Sequence, residues 1–289
     1  MAGLWDSMMK RLVRRYARHF VRWLVAEAVF VRALDIELQN QQLFADALLE
    51  VRLHGTAALV HIEFQTYDDP DMATRLLEYN VLASRQYEHL PVYSYVIYLR
   101  KAGEVAVSPL VRGFPTGVDV HHFFFGVIKL WEVPAELFLG TGWTGVLPLV
   151  TLTDGGKRPE AVKEMIDQLA FAEEYDLLAI AEVLGGLVFK TGPELVWFRK
   201  RFSMFQDILR ESSVYQEIVE EGRIQEQREM LLKLIQLRFP ELEALAKQQS
   251  DGITTPEILP SVNFKLLAAQ TVEEARQILL SINKSETKH

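Results

Sequence analysis

The chain has 289 residues, with 31 Lys and Arg against 39 Asp and Glu for a net charge of −8. Its composition, 49% hydrophobic and 24% charged, is that of a folded protein of one large domain or two smaller ones. No run approaches the roughly 18 apolar residues of a membrane span. The absence of cysteine excludes thiol nucleophiles, disulfides, iron–sulfur clusters and Cys-based zinc sites.

The first residues carry Asp6, Lys10 and Arg11 and lack an apolar run ending in a small-residue cleavage site, so no signal peptide and a cytoplasmic location are expected. Lys10, Arg11, Arg14, Arg15, Arg18, Arg22 and Arg32 interleave with Leu12, Val13, Tyr16, Phe20, Trp23, Leu24, Ala28 and Val31 at helical spacing. The pattern predicts a basic amphipathic helix running on to about Arg32. Its outer face, with Arg14, Arg15 and Arg18, suits phosphate contact or serves only as a solvated surface. Membrane attachment is less favoured, because no lipidation motif accompanies the helix.

Two apolar runs follow, Leu43 to Leu53 and Ala57 to Thr66, around His54-Gly-Thr56, and they predict a β-hairpin. Alternation places His61, Glu63 and Gln65 on one face of the second strand and Val60, Ile62 and Phe64 on the other. An acid inside so apolar a strand is costly unless partners meet it, and Asp46 raises the same question in the first strand. Asp69 as N-cap and Pro70 at the first position predict a helix over residues 70–89. Its packing positions are Met72, Leu76, Leu77, Val81 and Leu82, and Arg75 and Tyr79 share a face. A strand is expected from Val92 to Leu99. Another, His121 to Trp131, follows a break rich in Gly and Pro.

Asp46, then Glu63-Phe-Gln65, then Met72-x-x-Arg75-x-x-x-Tyr79 resembles the PD-(D/E)XK nuclease superfamily, and more closely the Rpn family of recombination-promoting nucleases and transposase-like proteins of bacteria. His61-Ile-Glu-Phe-Gln65 with Met72 and Arg75 is the most specific part. Leu147-Pro-Leu149 and Tyr215-x-x-x-x-x-Glu221-Gly-Arg223 are also similar to that family. The resemblance implies a restriction-endonuclease-like mixed sheet flanked by helices. It implies Mg²⁺ or Mn²⁺ held by Asp46, Glu63 and the Phe64 backbone carbonyl, with hydrolysis of DNA phosphodiesters as the reaction. Gln65 stands where most of the superfamily has Lys. It can orient a water but cannot supply positive charge. Ala45 replaces a proline that is no ligand. The superfamily core also calls for a strand ahead of Asp46, for which Ala33–Leu38 is the expected source.

For the neighbours of this pair two roles stay open. Arg75 contacts phosphate or pairs with an acid, and Tyr79 joins it at the site or packs in the core. His61 is expected to be a hydrogen-bonded core histidine, and Glu37 an extra site acid or a surface charge. Gly140-x-Gly142-x-x-Gly145 spells a dinucleotide motif, but Val146-Leu-Pro148 follows where a helix should open, so a loop and no nucleotide cofactor are expected.

From Arg158 the pattern turns helical, with helices expected over 159–174, 176–188 and 193–210 packed on the nuclease-like core. Residues 1–210 are expected to form that domain and 211–289 a helical extension. The extension would comprise a long helix from Tyr215 to Arg238 with Ile218, Ile224, Met230, Leu231, Leu234 and Ile235 as its stripe, then a small unit divided at Gly252, Pro256 and Pro260. The tail 283–289 is expected to be disordered. The sequence thus points to a Mg²⁺-dependent DNA endonuclease linked to recombination or mobile elements, with RNA as an alternative substrate. The rival is a weak or inactive nuclease-fold protein that binds nucleic acid or protein, with homo-oligomers forming through the C-terminal helix.

Overall fold

A computed structural model describes residues 2–34, 37–38, 43–113, 119–190, 192–251, 253 and 258–282. Helix α1 (Ala2–Leu24) buries Met8, Met9, Leu12, Val13, Phe20 and Val21 and exposes Arg14, Arg15 and Arg18, so apolar and basic residues part onto opposite faces. Tyr16 leaves helical geometry (φ −117°, ψ 31°) and kinks the helix. The helix stops at Leu24 rather than near Arg32, because Ala28-Val-Phe-Val-Arg-Ala33 is strand β1. A run with Val29, Phe30 and Val31 favours a pleated strand over a further helical turn. This strand lies earlier than the expected Ala33–Leu38.

Strands β2 (Glu37–Leu38) and β3 (Leu43–Phe44) form a small ladder of their own, and β4 spans Ala47–Leu53. The run expected from Leu43 to Leu53 is therefore two strands, and Asp46 lies just ahead of β4 rather than inside it. The cause is local. The Asp46 carboxylate accepts the Phe64 N–H that a continued ladder would bond, and pairing ends at Ala47 opposite Ile62. The expected hairpin is present. His54 and Gly55, both at positive φ (50° and 82°), make the two-residue turn to β5 (Thr56–Gln65).

Helix α2 (Met72–Gln86) crosses from β5 to β6 (Val92–Tyr98), which runs parallel to it. The helix begins two residues later than expected, since Asp69 accepts from the Asp71 N–H and from Arg75, leaving Asp71 as the flanking residue. Met72, Leu76, Tyr79 and Ala83 face inward, whereas Val81 falls on the outer side and is exposed. Strands β7 (Leu110–Gly113) and β8 (Asp119–Phe123) form a separate hairpin, and β9 (Gly126–Lys129) pairs with β6. The strand expected over His121–Trp131 is thus divided where Phe125 turns inward beside Met72, Leu76 and Tyr98, its N–H bonded to Ser108.

The five-stranded sheet has the order β1-β4-β5-β6-β9, antiparallel from β1 to β5 and parallel from β5 to β9. Alternation along β5 sends Phe64 toward α1, edge-on to Phe20 at 6.2 Å, and His61 toward α2, 5.1 Å from the Tyr79 ring. With a helix over each face, residues 58–66 are buried without interruption.

Short helix α3 (Glu136–Leu139) and a 3₁₀ helix over Thr144–Leu152 follow, so the Gly-x-Gly-x-x-Gly stretch leads into a 3₁₀ helix rather than a loop. Gly145 needs its missing side chain. A Cβ there would lie 2.3 Å from Tyr16 Cβ, and the Gly145 N–H donates to His19 Nδ1 at 2.7 Å. Helices α4 (Pro159–Phe171), α5 (Tyr175–Val188), α6 (Pro193–Phe202) and α7 (Gln206–Glu211) complete a compact unit that spans Leu4–Val214. A 3₁₀ turn at Ser203–Phe205 breaks the helix expected through Arg210.

A second unit begins at Tyr215, within α8 (Ser213–Arg238), and continues through α9 (Glu243–Asp251), α10 (Ile258–Ala268) and α11 (Val272–Leu280). Its core gathers Ile224, Leu231, Ile235, Phe239, Leu259 and Leu266. Met230, expected on the apolar stripe, is exposed. Gly252, Pro256 and the tail 283–289 lie outside the described residues. Among the described residues no helix is long and apolar enough to cross a membrane.

Candidate active site

Where the β4–β5 ladder stops, Asp46 and Glu63 come side by side. The Asp46 N–H donates to Glu63 Oε1 at 3.3 Å, and the Phe64 N–H donates to Asp46 Oδ2 at 2.8 Å. These two bonds tie Glu63 and Phe64 of β5 to Asp46, just ahead of β4. In a strand the N–H and C=O of one residue point to the same side, so the Phe64 carbonyl faces the Asp46 side. The neighbouring Gln65 carbonyl faces β6, where it accepts the Leu99 N–H at 2.8 Å. Of the three expected metal-binding groups, Asp46 and Glu63 are thus joined through the Asp46 N–H, and the Phe64 carbonyl lies on the Asp46 side of β5.

Glu63 is 1% exposed, a position in which an unpartnered carboxylate would be very costly. Its partners come from three elements. His61 Nε2 lies 3.1 Å from Oε1, and Arg75 Nη2 donates to Oε2 at 3.3 Å. Behind His61, Asn80 Nδ2 donates to Ser94 Oγ at 3.0 Å, and Ser94 Oγ lies 3.2 Å from His61 Nδ1. A carboxylate can only accept, so the His61 nitrogen that bonds Glu63 is the one carrying a proton, and Ser94, which accepts from Asn80, can donate its O–H to Nδ1. His61 is thus the hydrogen-bonded core histidine expected, and it also orients an acid of the site.

Arg75 divides its guanidinium between Glu63 and Asp69, the latter at 2.6 Å. Burial acts against its charge, but Asp69 and Glu63 outweigh that and raise its pKa further. Of the two expected roles for Arg75, the ion pair is the one the structure contains. Tyr79 is buried against His61, and burial together with the Glu63 charge raises its phenol. Gln65 is buried at the end of β5, on the Glu63 side by alternation.

Asp46 is the strained member. Burial first, and then the Glu63 charge, push its carboxyl up to about 8, against the opposing Phe64 N–H bond. Two residues unforeseen from sequence face it from α1. Lys10 Nζ lies 3.6 Å from Asp46 Oδ1 and donates to Asp6 Oδ2 at 3.0 Å. The Asp6-x-x-x-Lys10 spacing signals a helical pair, but nothing in it points to Asp46. Of the basic residues expected at a nucleic-acid surface, Arg15 is bound to Asp176, while Arg14 and Arg18 stand exposed. The Glu37 side chain lies outside the described residues.

The donor set suits a hard divalent cation. Two carboxylates and a main-chain carbonyl are the oxygen ligands Mg²⁺ and Mn²⁺ prefer. The mutual repulsion that raises Asp46 is what a bound cation relieves. Among the described residues no group of three or more His, Cys, Asp or Glu is arranged to hold a metal ion. The remaining ligands would therefore be water or substrate, as is usual for Mg²⁺. Comparison with protein-family models, curated proteins and solved structures finds no match to this chain.

Proposed function

We propose that this chain is a divalent-metal-dependent endonuclease with a restriction-endonuclease-like core. It hydrolyses phosphodiester bonds in DNA in a recombination or mobile-element setting of the kind the Rpn resemblance implies. The observation that carries this reading is the buried acid pair, Asp46 and Glu63, interlocked at the open end of the ladder. Two further features support it: β1 supplies a strand ahead of Asp46, and α2 packs over the hairpin.

Asp46, Glu63 and the Phe64 carbonyl would hold Mg²⁺ or Mn²⁺. When bound, the ion lowers the pKa of a water and neutralises charge developing on the phosphoryl oxygens. His61 and Arg75 fix the Glu63 carboxylate in one orientation, so that little reorganisation is left for the reaction. Gln65 accepts a hydrogen bond from the attacking water and aims it. Arg14 and Arg18 contact the DNA backbone. The net charge of −8 confines that contact to a local patch and argues against broad duplex wrapping.

One observation favours a second reading, a nuclease-fold protein that binds without turnover. Both Glu63 oxygens already have partners within the chain. Plasmid DNA incubated with the protein and Mg²⁺ or Mn²⁺ separates the two. Under the enzyme reading, nicking or linearisation depends on the metal, stops with EDTA, and falls to background in Glu63→Ala while the melting curve retains its cooperativity. A folded wild-type protein that neither cleaves nor gains thermal stability from either metal sinks the enzyme reading and leaves the binding one.

A further inference from the structure

Glu63 and Asp46 stand together at the end of the sheet, and the cations around them differ in where they come from. Arg75 is committed on two sides, to Glu63 and to Asp69. Gln65, beside the acids on β5, is neutral. Lys10 is different. It reaches the pair from α1, which is seated on the sheet through buried Met8, Met9 and Leu12 and through Phe20 against Phe64.

We propose that Lys10 is a catalytic residue of the acid site, placed by α1 and Asp6 so that its ammonium contacts a non-bridging oxygen of the scissile phosphate. The assignment rests on the endonuclease reading and goes beyond it, since the α2 cation at the acids, Arg75, is divided between Glu63 and Asp69. The geometry carries it in three ways. Lys10 Nζ is ion-paired with Asp46 Oδ1 at 3.6 Å, longer than a charge-assisted hydrogen bond of about 2.7–2.9 Å, which places the ammonium at the acid pair. An ammonium has three donors; Asp6 takes one at 3.0 Å and Asp46 draws a second, which leaves one for an anionic oxygen. The side chain is only 26% exposed, so its stem is confined and the charge is fixed in place before substrate arrives.

An Asp–Lys pair four residues apart on a helix is by itself a surface feature of small worth. Here the docking of α1 sets that pair against a buried acid 36 positions along the chain. Arg14 and Arg18 continue from Lys10 at four-residue intervals, ~6 Å of helix rise apiece, on the exposed side of α1. A positive row that begins at the acid pair suits a substrate with many phosphates rather than a small phosphomonoester.

The test compares full-length wild type, Lys10→Met and Lys10→Arg in plasmid cleavage over a range of DNA concentrations, with melting curves for each. Lys10→Met should lose about 10²-fold in kcat with KM changed by less than about threefold, the pattern of a contact made in the transition state. Lys10→Arg should recover at least about tenfold of that loss, since it restores the charge. Should Lys10→Met fail to fold, Lys10→Gln takes its place with the same expected loss. The assignment is overturned if a folded neutral variant cleaves within about threefold of wild type while Glu63→Ala is inactive. It is overturned too if only KM rises, or if folded Lys10→Arg recovers nothing; in all three cases the endonuclease reading survives. A wild-type protein that cleaves with neither Mg²⁺ nor Mn²⁺ removes both.

Discussion

The end of the sheet and the helical unit after Tyr215 use their polar groups in opposite ways. In the helical unit Arg238 and Thr271 finish helix ends. Arg238 donates to the carbonyls of Leu266, Leu267 and Ala269 at 2.9, 2.6 and 2.6 Å, closing the last turn of α10. Thr271 Oγ accepts the Glu274 N–H at 3.2 Å while Glu274 accepts the Gln270 N–H at 2.8 Å, a reciprocal cap on α11. At the sheet end two acids are instead pressed together in a buried place, and His61, Arg75 and Lys10 are arranged around them. The first arrangement satisfies groups the fold leaves open. The second keeps groups the fold alone would not choose, which is why the proposed site is placed there.

That contrast can be attacked where each region is strongest. The largest effect is expected in the helical unit. Leu231→Ala, which empties a fully buried position, should cost about 2–5 kcal/mol. Hydrogen exchange should place the lost protection in residues 215–282 and leave β4–β6 as slow as before. Equal loss in both regions would show that the contrast has no energetic content.

Asp46→Asn should act in the other direction. The folded chain holds a proton on Asp46 up to about pH 8, whereas an unfolded chain has lost it above pH ~4. The folded state binds the extra proton throughout that window, so this group's contribution to stability falls as pH rises from ~4 to about 8. The amide variant lacks that slope. It should melt above wild type at pH 8, with the advantage shrinking toward pH 5. Mg²⁺ at ~100 times its Kd should stabilise wild type by about 2.7 kcal/mol and leave the variant unmoved. An Asp46→Asn chain that melts below wild type at pH 8 would put this acid in the same class as the helix caps. The smallest effect belongs to Arg18→Ala, at an exposed position. Its stability should stay within about 0.5 kcal/mol of wild type. Its DNA affinity should fall with a salt slope shallower by about one, and an unchanged slope would detach α1 from the DNA-binding surface.

Much of the sheet end was legible in the residues. The His54-Gly55 turn and the apolar run to Phe64 predict β5 and its pairing, and Glu63 stands out because an acid in such a strand needs partners. Pro159 and Pro193 mark helix starts that the structure keeps. What misled was continuity of pattern. Ala28 and Val31 fit the helical period of α1, yet Val29, Phe30 and Val31 suit a strand, and β4 offers one side of a ladder. Leu43 to Leu53 looks like one strand because Ala45 and Asp46 do not interrupt it visibly. The interruption is a side-chain bond from Asp46 to another segment.

The sequence by itself determined the elements whose causes are local: the hairpin turn, the helix starts, the amphipathic face of α1 and the isolation of Glu63 in an apolar strand. Turn geometry, proline and period act over a few residues and leave a mark there. Only the tertiary structure decided that Asp46 stands outside its strand, that Arg75 is shared with Asp69, and that Lys10 lies beside Asp46. Each of these depends on how separate segments pack. A half-buried ammonium and a buried carboxylate from positions 36 apart meet because the apolar faces of α1 and β5 set the distance between them.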